Sequence, residues 1–140
     1  MPPKSNRELL QEFIDAFNRL DIDALVADLD PEAELHEWPE GVGSRSYRGP
    51  DGVREALGVW FEAWEWMQVE ITDVREAEDR TLVTLHQRAK GRASEVEVEI
   101  DSYNVYRFAD GRVTSIELFT NRDAAVEAFD RPRERTGQER

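Results

Sequence analysis

The chain has 140 residues, enough for one domain with one core and too short for two comfortable ones. It sets 31 acidic residues against 18 basic ones, a formal net charge of −13, which excludes nucleic-acid binding through the bulk field and disfavours an anionic membrane surface. It has no cysteine and two histidines, His36 and His86, so disulfides, thiol nucleophiles and cysteine- or multi-histidine metal sites are excluded.

No apolar run approaches the roughly 20 residues of a membrane span. The segment Met1-Pro2-Pro3-Lys4-Ser5 lacks the apolar stretch of a signal peptide, so a cytoplasmic domain is expected. Residues 1–5 read as a disordered N-terminus, 6–130 as the folded domain and 131–140 as a polar, Arg-rich tail.

Ser5 or Asn6 can cap a first helix, with Glu8 in its first turn. Leu9, Leu10, Phe13, Ile14, Phe17 and Leu20 repeat at three and four residues and form one apolar face. Asp21 or Asp23 caps a second short helix carrying Leu25, Val26 and Leu29, which Asp30-Pro31 is expected to close. Residues 33–38 read as a short strand ending before Pro39, and residues 40–49 as a loop. Pro50-Asp51-Gly52 starts a third helix whose apolar set is Val53, Leu57, Trp60, Phe61 and Trp64.

From residue 67 the period changes to two. Val69 and Ile71 alternate, and Asp73-Val74 breaks the phase, which predicts a bulge. Strands follow at 81–89, 95–108 and 112–120, the first two joined around Lys90-Gly91-Arg92. Asp123 is the expected cap of a last helix with Ala125, Val126 and Phe129. Helices precede the strands instead of alternating with them, so the fold class is α+β.

Ala109-Asp110-Gly111 reads as a three-residue hairpin loop pairing Phe108 with Arg112. That register gives an inner face of Val98, Ile100, Ser102, Asn104, Tyr106 and Phe108 with Thr114, Ile116 and Leu118. The outer face carries Glu95, Glu97, Glu99 and Asp101 in one row. Beyond it lie Tyr103, Val105, Val113 and Phe119, an apolar patch expected to pack against a second copy of the chain. In the preceding strand His86 and Arg88 fall outside, near the acidic row.

Gln87, Ser102, Asn104 and Tyr106 stand among aliphatic positions of the inner face. They are either a small satisfied network or the polar groups that orient a ligand in a pocket, with Trp38, Trp60 and Trp64 nearby. Glu37 shares the phase of Ala33 and Leu35 and is the candidate general base; Glu34, His36 and Trp38 are the alternative inward set. No phosphate loop, Ser-His-Asp triad or metal-ligand cluster is present, so neither a metal nor a cofactor is expected.

Phe13-x-x-x-Phe17, Asp30-Pro31-Glu32-Ala33-Glu34, Tyr47-Arg48-Gly49-Pro50-Asp51-Gly52-Val53, Asp110-Gly111-Arg112-Val113 and Asn121-Arg122-Asp123-Ala124-Ala125 resemble, in order and spacing, the SnoaL-like branch of the nuclear transport factor 2-like superfamily. The resemblance covers roughly residues 6–130. It implies a cone-like roll of helices on a strongly curved, mostly antiparallel mixed sheet, an apolar pocket between them, and a homodimer packed through the outer sheet face. Tyr47 and Leu118 join the expected pocket on this basis.

The superfamily includes polyketide cyclases, ketosteroid isomerases, limonene epoxide hydrolases and non-catalytic modules, so fold alone does not give function. The ketosteroid-isomerase base falls on Trp38, and the epoxide-hydrolase Arg and two Asp fall on Leu85, Gln87 and Leu118; none of the acids is kept. The reading from sequence is a small, mostly apolar ligand in the pocket, with proton transfer by Glu37 as the chemistry. The alternative is a non-catalytic binding or protein-interaction module.

Overall fold

Ser5 opens the first helix, α1 (Asn6–Asn18), through a reciprocal capping box. Its hydroxyl accepts from the Glu8 N–H at 3.1 Å, and the Glu8 carboxylate accepts from the Ser5 N–H at 2.8 Å. The computed structural model describes residues 5–37 and 46–131. Trp38, most of the expected N-terminal segment and residues 132–140 of the expected tail therefore lie outside the described residues. Leu9, Leu10, Ile14 and Phe17 of α1 are buried as the spacing predicts. Leu20 is not: it follows the helix in a left-handed turn (φ 58°) and is 49% exposed.

Helix α2 (Ile22–Ala27) is capped by Asp21, whose side chain accepts from the Ala24 N–H. Strand β1 (Leu29–Glu37) starts earlier than the sequence suggests, because Leu29 already pairs with Val113. Asp30-Pro31 does not simply close the helix. It occupies an irregular stretch of β1, where the register shifts between Leu29 and Glu34 and a missing N–H interrupts no ladder bond.

A three-residue strand, β2 (Ser46–Arg48), lies within the expected loop. Gly49 opens helix α3 (Gly49–Ala63) at φ 75°, where a Cβ would come within 3.1 Å of the Pro31 carbonyl oxygen. Pro50 follows in the first turn, where its lack of an N–H costs nothing. Trp64, read as the last apolar residue of this helix, is instead extended (φ −117°, ψ 136°) and begins strand β3 (Trp64–Glu76).

Strands β4 (Arg80–Gly91), β5 (Glu97–Ala109) and β6 (Arg112–Phe119) and helix α4 (Arg122–Asp130) complete the chain. The β4–β5 connection covers residues 92–96, so Glu95 (φ 58°) lies in the turn and not in the acidic row. The cap of α4 is Asn121, whose side chain accepts from the Ala124 N–H at 2.8 Å; Asp123 sits in the first turn.

The sheet order is β2-β1-β6-β5-β4-β3, with β1 and β6 parallel and every other pair antiparallel. The expected bulge in β3 is present, as a register shift between Ile71 and Asp73. The β5–β6 hairpin differs from the expected register. Ala109 pairs with Arg112 across a two-residue turn in which both Asp110 (φ 54°) and Gly111 (φ 75°) are left-handed. A bulge then follows and shifts the register once more, so that Asn104 pairs with Leu118 and Tyr106 with Ile116.

The turn and the bulge together displace the register by two, which preserves parity, so the two faces of β5 are those expected. Val113 is the exception: it lies before the bulge, pairs with Phe108 and is buried in the main core, not on the outer face.

Helices α1, α2 and α3 cover one face of the sheet. There Leu9, Leu10, Ile14, Leu25, Leu35, Val53, Leu57, Val83, Leu85, Tyr106 and Ile116 form the main core. The opposite face carries a second, smaller core of Leu82, Val105 and Phe119 beneath Ala125, Ala128 and Phe129 of α4. This corrects the reading of the outer patch: Val105 and Phe119 are covered by the chain's own C-terminal helix, and Tyr103 packs beside them.

Candidate functional site

Between α1, α3 and the inner sheet face lies a cavity of about 180 Å³. An apolar cavity of about 150 Å³ accommodates benzene, so this one has room for a ring-sized molecule. The roof is aromatic and aliphatic: Phe13, Ile14 and Phe17 from α1, and Val53, Leu57 and Trp60 from α3, with Trp64 at the α3–β3 junction.

The floor is set by cross-strand register, because paired residues share a face. Glu37, Leu118 and Asn104 form one row across β1, β6 and β5, and Leu35, Ile116 and Tyr106 form the next. Further along β5, Ser102 pairs with Leu85 and Ile100 with Gln87. All of these except Glu37 line the cavity. Ile100 is 46% exposed despite its inner-face position, which marks the open side where the helices no longer cover the sheet.

The polar residues of the inner face are therefore brought together. The Gln87 side-chain amide donates to the Ser102 hydroxyl at 2.5 Å. Asn104 and Tyr106 are both buried, and the Tyr106 hydroxyl has the Asn104 side chain as a hydrogen-bonding neighbour. Burial pushes the Tyr106 hydroxyl well above the usual phenol range, against a smaller opposing effect of the Asn104 hydrogen bond. Tyr106 is thus a neutral hydrogen-bond donor at any working pH. No Asp, Glu, His, Lys or Arg is among the described residues that line the cavity.

Glu37 is 6% exposed, at the end of β1 on the same face as Leu118. The alternation along β1 buries Ala33, Leu35 and Glu37 and turns Glu34 and His36 to the other side. There His36 contacts the Ser46 hydroxyl through Nδ1 at 2.8 Å and Glu34 through Nε2 at 2.9 Å, while Arg48 donates to Glu34 at 2.9 Å. Of the inward candidates, Glu37 is therefore placed inside and Glu34 and His36 outside.

His86 lies on the outer face, as its phase predicts. Its Nδ1 contacts Asp101 at 2.8 Å and its Nε2 contacts Glu99 at 2.6 Å, and the two carboxylates raise its pKa. No metal-binding cluster of His, Cys, Asp and Glu occurs among the described residues.

Trp60, Trp64, Gln87, Ser102, Asn104, Tyr106 and Leu118 all line the cavity. Tyr47 packs against the main core from β2 instead. Phe13, Phe17 and Met67 also line it, and sequence reasoning read the two Phe only as core. A helical apolar stripe looks the same whether it meets a packed sheet or a void. Met67 shares the phase of Val69, a signal that could have placed it on the inner face.

In fold, this mixed sheet covered by helices is similar to nuclear transport factor 2-like and cystatin-fold proteins of solved structure. Residues 10–116 match the family model of the SnoaL-like domain, and the chain belongs to that family. Among solved structures, it is similar to TerC co-crystallized with polyporic acid: 21% identity, TM-score 0.75, covering 90% of this chain and 98% of that one. It is also similar to a nuclear transport factor 2-like protein of unknown function from Burkholderia pseudomallei, at 19% identity and TM-score 0.76, over 90% of this chain and 98% of that one.

A third similar structure is the epoxide hydrolase/cyclase-like enzyme SalBIII, of pyran ring formation in polyether salinomycin. It shows 19% identity and TM-score 0.70, over 84% of this chain and 91% of that one. At such identities the likeness is one of fold. No curated protein matches the chain. Among the described residues, no helix is long and apolar enough to cross a membrane.

The positions at which the resemblance places epoxide-hydrolase catalytic groups, Leu85, Gln87 and Leu118, do line the cavity, and none of the three is ionisable. The fold therefore offers the pocket without those catalytic groups.

Proposed function

We propose that this SnoaL-like protein binds a small, mostly apolar molecule in its cavity and moves a proton at a carbonyl compound there, as in isomerisation or cyclisation. The observation that carries the reading is the row Glu37, Leu118, Asn104, next to the row containing Tyr106. It sets a buried carboxylate in one row with Asn104, two strands away on the same face and beside the cavity lining.

In this reading Glu37 takes the proton. Tyr106, kept protonated by burial, donates to the oxygen on which charge develops, with the Asn104 or Gln87 amide in support. A homodimer is part of the proposal, through outer-face surface of β3 to β5 that α4 leaves uncovered.

A second reading is a binding module without turnover. It is favoured by the absence of charged residues among the described lining. The two separate on one experiment: hydrogen–deuterium exchange at the α-carbons of cyclohexanone, followed by proton NMR. The proposal expects the protein to accelerate exchange over buffer. It expects Glu37→Gln to lose that acceleration by roughly a hundredfold, the lower end of what a positioned base supplies. Saturable binding without acceleration selects the binding module.

A further inference from the structure

We infer that the ligand is longer than the cavity: a ring inside it carries an apolar chain that leaves by the open side and lies along Ile100, Val98 and Val96. The inference rests on the cavity being a ligand site, as proposed above.

Five large aliphatic side chains are exposed among the described residues, and three of them stand together: Ile100 at 46%, Val98 at 40% and Val96 at 56%. Single exposed aliphatics are ordinary, whereas adjacent ones form a patch that calls for an occupant. Ile100 and Val98 are two residues apart in β5 and share its inner face, and Val96 immediately precedes the strand.

The stripe is exposed because the sheet narrows there. The β5–β6 pairing ends at Tyr103 and Phe119, whereas the β4–β5 pairing runs on to Glu97. Among the described residues, Glu97 to Ser102 therefore have a pairing strand on the β4 side only.

The stripe is continuous with the cavity, because Ile100 belongs to both. On β4, Ala89 pairs with Val98, and the Gly91 N–H donates to the Val96 carbonyl at 3.0 Å. A Cβ on Gly91 would lie 3.9 Å from the Trp64 ring, so this cavity-lining indole stands beside the stripe. The outcome is an apolar track that starts at the cavity mouth. A volume of about 180 Å³ holds one ring, and a larger molecule has this track as its way out.

A second copy of the chain suits the stripe less well. Glu97, Glu99 and Asp101 alternate with the stripe residues along the same segment. A copy added to this free edge across a two-fold axis would set one acidic row directly against the other. A neutral hydrocarbon chain meets no such repulsion.

The test is binding of para-cresol, para-butylphenol and para-heptylphenol to the full chain. Tryptophan fluorescence, excited beyond the absorption of the phenols, reports it through Trp60 and Trp64 at the cavity. Affinity is expected to rise about twofold per added methylene. Full burial would give roughly fourfold, and the track covers one side of the chain. The double variant Val96→Thr, Val98→Thr keeps the branched side-chain shape. It is expected to bind para-heptylphenol about tenfold more weakly, since hydrocarbon would cover two hydroxyls. Para-cresol, which ends inside the cavity, is expected to bind both chains alike.

An equal rise with length in both chains, or a fall with length, overturns the inference and leaves the ligand pocket standing. An equal rise together with weaker self-association of the variant assigns the stripe to a second copy. Binding of none of the three phenols overturns both readings. If the variant does not fold, the valine methyl resonances of the unaltered chain decide. Those of Val96 and Val98 are expected to shift with para-heptylphenol and not with para-cresol, and their failure to shift with either overturns the inference.

Discussion

His86 is held between Asp101 and Glu99, with Glu70 directly opposite on β3 and Arg88 two residues along β4. The two carboxylates raise its pKa above 6.5, and the small desolvation of an exposed ring opposes them. A group whose folded pKa exceeds its unfolded value stabilises the fold fully below the unfolded pKa. It loses that contribution as pH rises through the folded pKa. The expected result is that His86→Gln lowers the melting temperature most just below pH 6.5, and progressively less as pH rises above it. Thermal melts of both chains across pH 6 to 9 check this. Equal differences at both ends of the range would mean that His86 is not charged in the folded protein.

The pairing was legible in the sequence. His86 and Arg88 alternate in phase with Glu97, Glu99 and Asp101, and the register places Arg88 opposite Glu99 and His86 opposite Asp101. Glu37 was legible by parity with Leu35, but parity in so short a segment did not separate it from Glu34 and His36. The parallel pairing with β6 did, by setting Glu37 beside Leu118.

At the scale of elements, α4 is the one whose role the sequence concealed. Its apolar residues Ala125 and Phe129 were visible at helical spacing, but nothing local says which surface they cover. The structure lays them on Leu82, Val105 and Phe119. Two arginines from the sheet hold the helix end. Arg80 donates to the Phe129 carbonyl at 2.5 Å and Arg107 to the Ala128 carbonyl at 3.0 Å, satisfying carbonyls that a helix C-terminus leaves open. The Arg80 guanidinium also lies 5.3 Å from the centre of the Phe129 ring.

Phe129→Ala removes one of the two phenylalanines of this small core and the ring beneath Arg80. It is expected to cost about 3 kcal/mol, the lower end for a buried Phe, because α4 lies at the edge of the fold and can relax. Chemical denaturation measures it. A loss below about 1 kcal/mol would show that α4 is not docked as described.

The hairpin teaches a different lesson at the same scale. Two departures from the expected register, a tighter turn and a bulge, add to a shift of two, which preserves parity. The faces of β5 were therefore read correctly from a wrong register, and only Val113, caught between turn and bulge, changed sides. Bulges carry no strong residue signature, so their number was not legible.

At the scale of the whole molecule, the charge has a clear distribution. Among the described residues, nearly all the acids lie on helix surfaces, strand ends and the outer sheet face, Glu37 being buried, while the described cavity lining is uncharged. The fold was legible because helix caps, period changes and turn residues agree with one another along the chain. The cavity was not fully legible. Whether Phe13 and Phe17 meet packed side chains or a void depends on how far α1 and α3 stand off the sheet, which no local pattern encodes.

The central claim is that this void is a ligand site. The direct measurement is a titration of the ¹⁵N-labelled chain with toluene, followed by nitrogen–proton correlation NMR. The account expects saturable, one-to-one shifts of the Gln87 and Asn104 side-chain amides and of the Trp60 and Trp64 indole N–H groups. Unshifted cavity resonances, or shifts confined to the outer face around His86 and Arg88, would contradict it.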